Sequence, residues 1–419
     1  MRKIDVLIIG GGPAGLSAAI RLKALGINDL LVVEQNNFLG GILNQCIHNG
    51  FGLHTFKEEL TGPEYAHRLI EQAKALKIPM LLETTATQMN KAKIVRLVSP
   101  AGVVELEAKA IILGMGSRER PRGAINIPGT RPAGVFSAGS AQDLVNLQGH
   151  KIGNRVVIVG SGDIGLIMAR RLTFEGCEVL AVVEKMPHSS GLRRNIVQCL
   201  DDFEIPLHLS HTVSRIFGDD RVSGVNIAQV DEDGQPKLAT EKFIECDTIL
   251  FSVGLIPETK LAQSASIKHD QVTGGVIVDS NLETETSGIF ACGNVLHIHD
   301  LVDNVTREAD EVALNVKDYL AGLRQKQPLA VEFDAQIRYV VPHFVNQAGT
   351  IRDTQFKFRA TNVYQNARVE IYFDDQLVHQ RRFKIITPGE LEVVTVKAEI
   401  MEQARSAKKI TLKIKAVEK

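Results

Sequence analysis

Two segments of this chain repeat one pattern, and that repetition constrains the fold more than any other feature of the 419 residues. In the first, the apolar β-branched run Ile4–Ile9 reads as a buried parallel strand. Gly10-Gly11-Gly12-Pro13-Ala14-Gly15 follows, then a helical pattern through Leu16, Ala19, Ile20, Leu22 and Leu25, ended by Gly26. A second apolar strand, Leu30–Val33, leads to Glu34, nineteen residues beyond Gly15. In the second segment the strand is Arg155–Val159 and the turn is Gly160-Ser161-Gly162-Asp163-Ile164-Gly165. The helix Leu166–Phe174 and the strand Glu178–Val183 then lead to Glu184, again nineteen residues past the last glycine.

Each part has a physical job. Gly10 permits the tight turn, Gly12 lets the backbone approach a pyrophosphate, and Gly15 allows close helix–strand packing. The helix opening at Pro13 and Ala14 presents free N–H groups and a positive dipole to that pyrophosphate. Glu34, with Gln35 beside it, accepts hydrogen bonds from ribose hydroxyls. Gly160, Gly162, Asp163, Ile164, Gly165 and Glu184 are expected to hold a second dinucleotide in the same way. Two dinucleotides in one chain imply electron transfer between them; the competing reading is a degenerate copy that binds nothing. Glu184 favours NAD(H) over NADP(H), because a 2′-phosphate would meet carboxylate repulsion. Lys185, directly after it, pulls the other way.

Composition narrows the class. Hydrophobic residues at 44% and charged residues at 23% exclude a disordered chain. A net charge of -1 gives no general electrostatic reason to expect nucleic acid or an anionic membrane. The five cysteines, Cys46, Cys177, Cys199, Cys246 and Cys292, contain no C-x-x-C pair. That spacing excludes a zinc ribbon, an iron–sulfur run and a vicinal dithiol, and fits a reducing compartment. The run Val6–Gly12 is too short for a membrane span, so no membrane span and a cytoplasmic location are expected.

Three more segments complete the pattern. Ala110–Leu113 leads to Gly114-Met115-Gly116-Ser117, and Thr248–Val253 leads to Gly254-Leu255-Ile256-Pro257. Gly288-Ile289-Phe290-Ala291-Cys292-Gly293-Asn294 precedes a helix with apolar Val305, Ala309, Val312, Ala313 and Val316. With these five motifs in order, roughly residues 1–325 resemble the two-dinucleotide-binding flavoproteins that include glutathione reductase-like enzymes. The resemblance implies FAD in the first unit and NAD(P)H in the second, with the Gly293 segment returning to complete the FAD domain. It adds Gly41, Gly114, Gly116, Gly254, Gly293, Asn294 and His299 to the expected cofactor contacts. The implied fold class is α/β. Two Rossmann-like domains are followed by an all-β appendage: 1–148 and 281–326 form the FAD domain, 149–280 the NAD(P) domain.

The chain departs from that family in two places. Asn294 stands where the family has Asp, keeping an acceptor for the ribityl chain. After Glu34 the disulfide reductases carry paired cysteines, whereas this chain reads Leu39-Gly40-Gly41-Ile42-Leu43-Asn44-Gln45-Cys46-Ile47-His48. A lone Cys46 thiolate stabilised by His48 is the candidate for direct catalysis, as in a single-cysteine NADH oxidase or peroxidase. The bland reading is a packing cysteine. Residues 40–69, 116–138 and 162–171 look like the FAD/NAD-binding α subunits of dye-linked L-proline dehydrogenase, opine oxidase and hydrogen cyanide synthase. They look closer still to oxidoreductases encoded beside glycerol-3-phosphate dehydrogenase-like proteins. The implied partners are NAD(H) and a dehydrogenase or iron–sulfur subunit, with a homo-oligomer allowed. The alternative is an FAD-containing docking subunit whose NAD site is unused.

His297, His299 and Asp300 fall near where a flavin ring should lie, but no third or fourth metal ligand is close in sequence, so no metal is expected. Beyond Gly322 the pattern changes to period-two alternation, as in Ile410, Leu412, Ile414 and Ala416, with Asp374-Asp375 as a hairpin turn. Residues 331–419 therefore read as a small Ig-like β-sandwich.

Overall fold

The computed structural model describes residues 2–416, which divide into two compact units: Met1–Ser117 with Ile256–Lys419, and Arg118–Leu255. In the first unit, Arg2–Ile9 runs parallel to Leu30–Val33 on one side and to Gly102–Leu113 on the other. Ile289–Ala291 joins Gly102–Leu113 in parallel. The register sets Ile9 beside Val33 and Leu113, and Leu113 beside Ala291. The next residues, Gly10, Glu34, Gly114 and Cys292, therefore line one carboxyl edge, where open parallel sheets bind ligands. The all-buried strand Leu30–Val33 and the buried end of Arg2–Ile9 show why these runs lack alternation: both faces are covered.

The helix Pro13–Ala24 begins with Pro at its start and buries Ala14, Gly15, Leu16, Ala18, Ala19 and Leu22. Small residues on that face let it pack against the helix Val302–Leu320. The apolar positions expected on the latter helix, Val305, Ala309, Val312, Ala313 and Val316, are all buried.

The second unit repeats the plan. Its five-stranded parallel sheet runs Val135–Ser137, Thr248–Phe251, Arg155–Val159, Glu178–Val183, Leu207–His208. Val159 pairs with Val183 and Phe251, which puts Gly160, Glu184 and Ser252 on one edge. As a compact unit it runs from Arg118 to Leu255. Val135–Ser137 is hydrogen-bonded into this sheet, while Leu261, Ala262, Ile267, Val276 and Val278 belong to the core of the other unit.

The C-terminal region is a two-sheet β-sandwich. A five-stranded sheet containing Pro328–Phe333, Tyr364–Phe373, Gln376–Ile386 and Ile410–Ala416 faces a three-stranded sheet of Ile337–Val341, Thr354–Ala360 and Glu392–Val396. Val369, Ile371, Leu412 and Ile414 from one sheet, with Phe356, Phe358, Val394 and Val396 from the other, form one buried cluster. Asp374 takes φ 54 in the hairpin turn after Phe373. This region belongs to the first unit: Tyr339 and Val341 are buried in the same cluster as the nucleotide-binding strands. Among the described residues no helix is long and apolar enough to cross a membrane.

Candidate functional site

The first glycine turn is shaped by contacts that exclude side chains. Gly10 has φ +110, and a Cβ there would lie 2.4 Å from the Gly114 carbonyl oxygen. A Cβ on Gly15 would lie 1.9 Å from the Gly10 carbonyl oxygen. At Gly12, by contrast, a Cβ would meet only the Gly41 Cα, at 3.9 Å, so the two glycines form an open cradle. The helix after Gly12 has no side-chain cap, which leaves its first N–H groups for an anion. Glu34, buried at the strand end, accepts from the Gly11 N–H at 2.7 Å and from the Asn36 N–H at 2.8 Å. Two bonds hold the carboxylate in place and leave lone pairs for ribose hydroxyls. Gln35 follows it, exposed. The cradle, the uncapped helix and the held acid fit FAD.

The second turn reproduces that geometry within its own unit. Glu184 accepts from the Ser161 N–H at 2.9 Å and the Ser161 hydroxyl at 2.6 Å, and from the Met186 N–H at 2.9 Å. Ser161 and Met186 occupy the places of Gly11 and Asn36. A Cβ on Gly160 would lie 2.2 Å from the Ser252 carbonyl oxygen, so Ser252 takes the place of Gly114. Gly165 donates its N–H to the Ser252 hydroxyl at 3.0 Å. Asp163 opens the helix, but its Oδ1 accepts from the Leu192 N–H at 2.8 Å and the Asn195 amide at 2.6 Å. It holds the loop 189–195 beside the turn, where Ser189 donates to the Ser161 carbonyl at 3.2 Å. Ile164 is half-buried against the core of this unit. Gly116 and Gly254 take positive φ with open space around them, each in its own unit.

The returning segment meets two residues that sequence reasoning missed, Glu308 of the helix Val302–Leu320 and Lys357 of the strand Thr354–Ala360. Gly293 has φ +77 and lies against Ala14, to whose Cβ its own Cβ would approach within 3.0 Å. Its N–H donates to Glu308 Oε2 at 2.6 Å. His299 Nε2 reaches the same oxygen at 3.1 Å, and His297 Nε2 lies 3.6 Å from Oε1. Lys357, from the β-sandwich, forms an ion pair with Oε1. Asn294 accepts the His299 N–H at 3.0 Å and donates to Ser117 Oγ at 3.4 Å. Thus His299, expected at the cofactor, points into the interior toward Glu308. A third potential metal ligand, absent from the sequence neighbourhood of the two histidines, is supplied by the helix: His297, His299 and Glu308 converge within 4.8 Å. The Lys357 ammonium already balances the carboxylate there, which disfavours a dication. Burial alone would raise the Glu308 carboxyl; Lys357, His299 and His297 outweigh it and hold the group well below the usual range. Burial, reinforced by His299, pulls His297 down to about 3 and keeps it neutral.

Cys46 and His48 lie in the loop after Gly41. Burial pushes the Cys46 thiol up to about 12, and its Sγ donates to the Ile42 carbonyl at 3.3 Å. His48 Nδ1 lies 2.9 Å from the Asn49 carbonyl, and its ring sits 5.0 Å from Phe51. The pair is adjacent in chain, but Cys46 is held as a neutral thiol. Period-two patterning marks Lys357 as a strand residue facing away from Phe356 and Phe358; only the packed fold shows that this face is covered.

A family model described as pyridine nucleotide-disulphide oxidoreductase matches residues 4–309. An alkyl hydroperoxide reductase polypeptide of Staphylococcus epidermidis is 26% identical over 325 residues, covering 75% of this chain and 59% of that protein. The chain thus spans less than two thirds of that relative's length. A thioredoxin reductase structure from T. acidophilum superposes with a TM-score of 0.63 at 23% identity, over 77% of this chain and 100% of that chain. The L-proline dehydrogenase structure from P. horikoshii gives 0.52 at 19% identity, over 76% of this chain and 56% of that one. At these identities the two structures attest a shared fold.

Proposed function

Because the chain belongs to the pyridine nucleotide-disulphide oxidoreductase family, an FAD- and NAD(P)-dependent family of oxidoreductases, we propose that it exchanges hydride between NAD(H) and FAD without an internal redox disulfide. Electrons then pass between the flavin and a partner dehydrogenase or iron–sulfur subunit. The observation that carries this reading is the duplicated turn. Glu34 and Glu184 are fixed by equivalent N–H donors, Gly11 with Asn36 and Ser161 with Met186. A degenerate second copy would have no reason to keep a buried carboxylate bonded in this way.

FAD when bound supplies a ring that takes hydride from nicotinamide. The chain's own residues bind and orient. Gly12 and Gly41 admit the pyrophosphate, the helix opening at Pro13 and Ala14 directs its dipole there, and Glu34 holds the ribose. Gly114, Gly116, Gly293 and Asn294 are assigned to the flavin end of the same edge. In the other unit, Gly160, Gly162, Gly165 and Glu184 perform the corresponding tasks, with Gly254 beyond the Ser252 strand end and Asp163 and Ile164 supporting the turn. NADH is favoured over NADPH because the Glu184 carboxylate lies where a 2′-phosphate would come. Lys185 does not reverse this, since its side chain lies against Gly234.

The absence of a dithiol relay is supported by the cysteines. Cys46 is held as a thiol, and Cys177, Cys199, Cys246 and Cys292 are free and buried. Replacing Cys46 with Ser is expected to leave turnover with an artificial acceptor within about twofold of wild type. A loss above tenfold would restore Cys46 and His48 as a catalytic pair. The central test is an anaerobic titration of the purified flavoprotein. NADH should bleach the oxidised-flavin absorbance faster than NADPH; an unbleached flavin with both would overturn hydride exchange and leave a docking subunit. Native mass spectrometry of the complex from its source then tests for the partner subunit.

A further inference from the structure

We propose that Lys357 of the C-terminal β-sandwich is a positioning residue for FAD, holding the Gly293–Asn294 turn through Glu308. This rests on the assignment of FAD to the first glycine turn. Glu308 is 1% exposed. One carboxylate oxygen accepts the Gly293 N–H and the His299 ring, and the other faces Lys357. Gly293 in turn lies against Ala14, in the first turn of the nucleotide-binding helix. A short chain of contacts therefore runs from the sandwich to the pyrophosphate end of the site.

The sandwich grips the same segment a second time. Lys357 and Arg359 project from one face of the strand Thr354–Ala360, while Phe356, Phe358 and Ala360 fill the sandwich core on the other. Arg359 forms an ion pair with Asp300 and donates to the Ile298 carbonyl at 3.4 Å. Asp300 Oδ2 also accepts the Leu391 N–H at 2.7 Å. Segment 293–300 is thus held by one strand face at both ends.

Lys357 is suited to this task by its charge and its burial. The fully buried Glu308 carboxylate takes its countercharge from Lys357. Arg307 is a further cation near Lys357, and Glu311 adds a second negative group. Without Lys357, the ionised Glu308 carboxylate would lose its countercharge and turn toward solvent, releasing the Gly293 N–H. The appendage is then part of the flavin-binding machinery, not a separate docking module.

The test uses the full chain stripped of flavin and titrated with FAD by fluorescence quenching. Lys357→Met is expected to weaken FAD binding more than tenfold, and Lys357→Arg to restore it to within about threefold. Glu308→Gln combined with Lys357→Met should also recover most of the affinity. Glutamine still accepts the Gly293 N–H and needs no cation. If Lys357→Met does not fold, the arginine variant and the double variant carry the comparison. Wild-type affinity in Lys357→Met, or a double variant as weak as the single one, would overturn the proposal. So would a stoichiometric transition metal in the wild-type protein bound by His297, His299 and Glu308. Flavin that binds but is not bleached by NADH would overturn hydride exchange while leaving these affinities as an independent result.

Discussion

Glu392 shows how one residue can acquire a property that its neighbours in sequence do not announce. It sits on the strand Glu392–Val396, paired with Phe358. Burial, reinforced by the Glu390 carboxylate, pushes its carboxyl up to about 7. In the unfolded chain the same group titrates near the ordinary glutamate value, so the folded state binds the extra proton in between. Stability should therefore fall as pH rises from about 4.5 to 7 and level off above that, by about 1–2 kcal/mol given partial exposure. Glu392→Gln should melt with wild type at pH 4.5 and above it at pH 8; equal melting temperatures throughout would refute the assignment. Glu34 and Glu184 contrast with this. Their place at a strand end was legible from their spacing to the glycines, because local chain geometry alone puts them there.

At the scale of elements, the helix Val302–Leu320 was legible as to its apolar face but not as to what its polar residues do. Asp303 in its first turn accepts the Gly52 N–H at 3.2 Å and the Thr55 N–H at 2.7 Å. Thr306, one turn on, meets Tyr65 Oη at 2.7 Å. The helix therefore pins the loop around Gly52 and Thr55. Asp303→Ala should cost about 1–3 kcal/mol locally, since the buried Gly52 N–H and the more exposed Thr55 N–H both lose their acceptor. Amide hydrogen exchange across residues 50–56 should accelerate while the core strand Arg2–Ile9 stays protected. Unchanged exchange in that loop would show that other contacts suffice. These pairings escaped sequence reasoning because hydrogen bonds over 248 and 251 residues leave no periodic trace.

For the whole molecule, the two compact units differ in what they can do alone. The buried clusters of the unit Arg118–Leu255 are built wholly from its own residues, from Ala141 to Phe251. A fragment spanning 118–255 should fold, melt cooperatively and bind NADH; a fragment that stays unfolded would show that its core is insufficient. A chain ending at residue 326 should instead lose flavin and aggregate, because Tyr339 and Val341 leave the main core and Glu308 loses Lys357. What the sequence determined alone was whatever depends on short stretches of backbone: the two strand–turn–helix–strand units, their acids, the returning Gly293 segment and the alternating strands of the sandwich. Tertiary structure alone decided which faces meet. Periodicity tells that Lys357 and Arg359 share a face, but only packing turns that face from a solvated surface into the support of the Gly293–Asn294 turn.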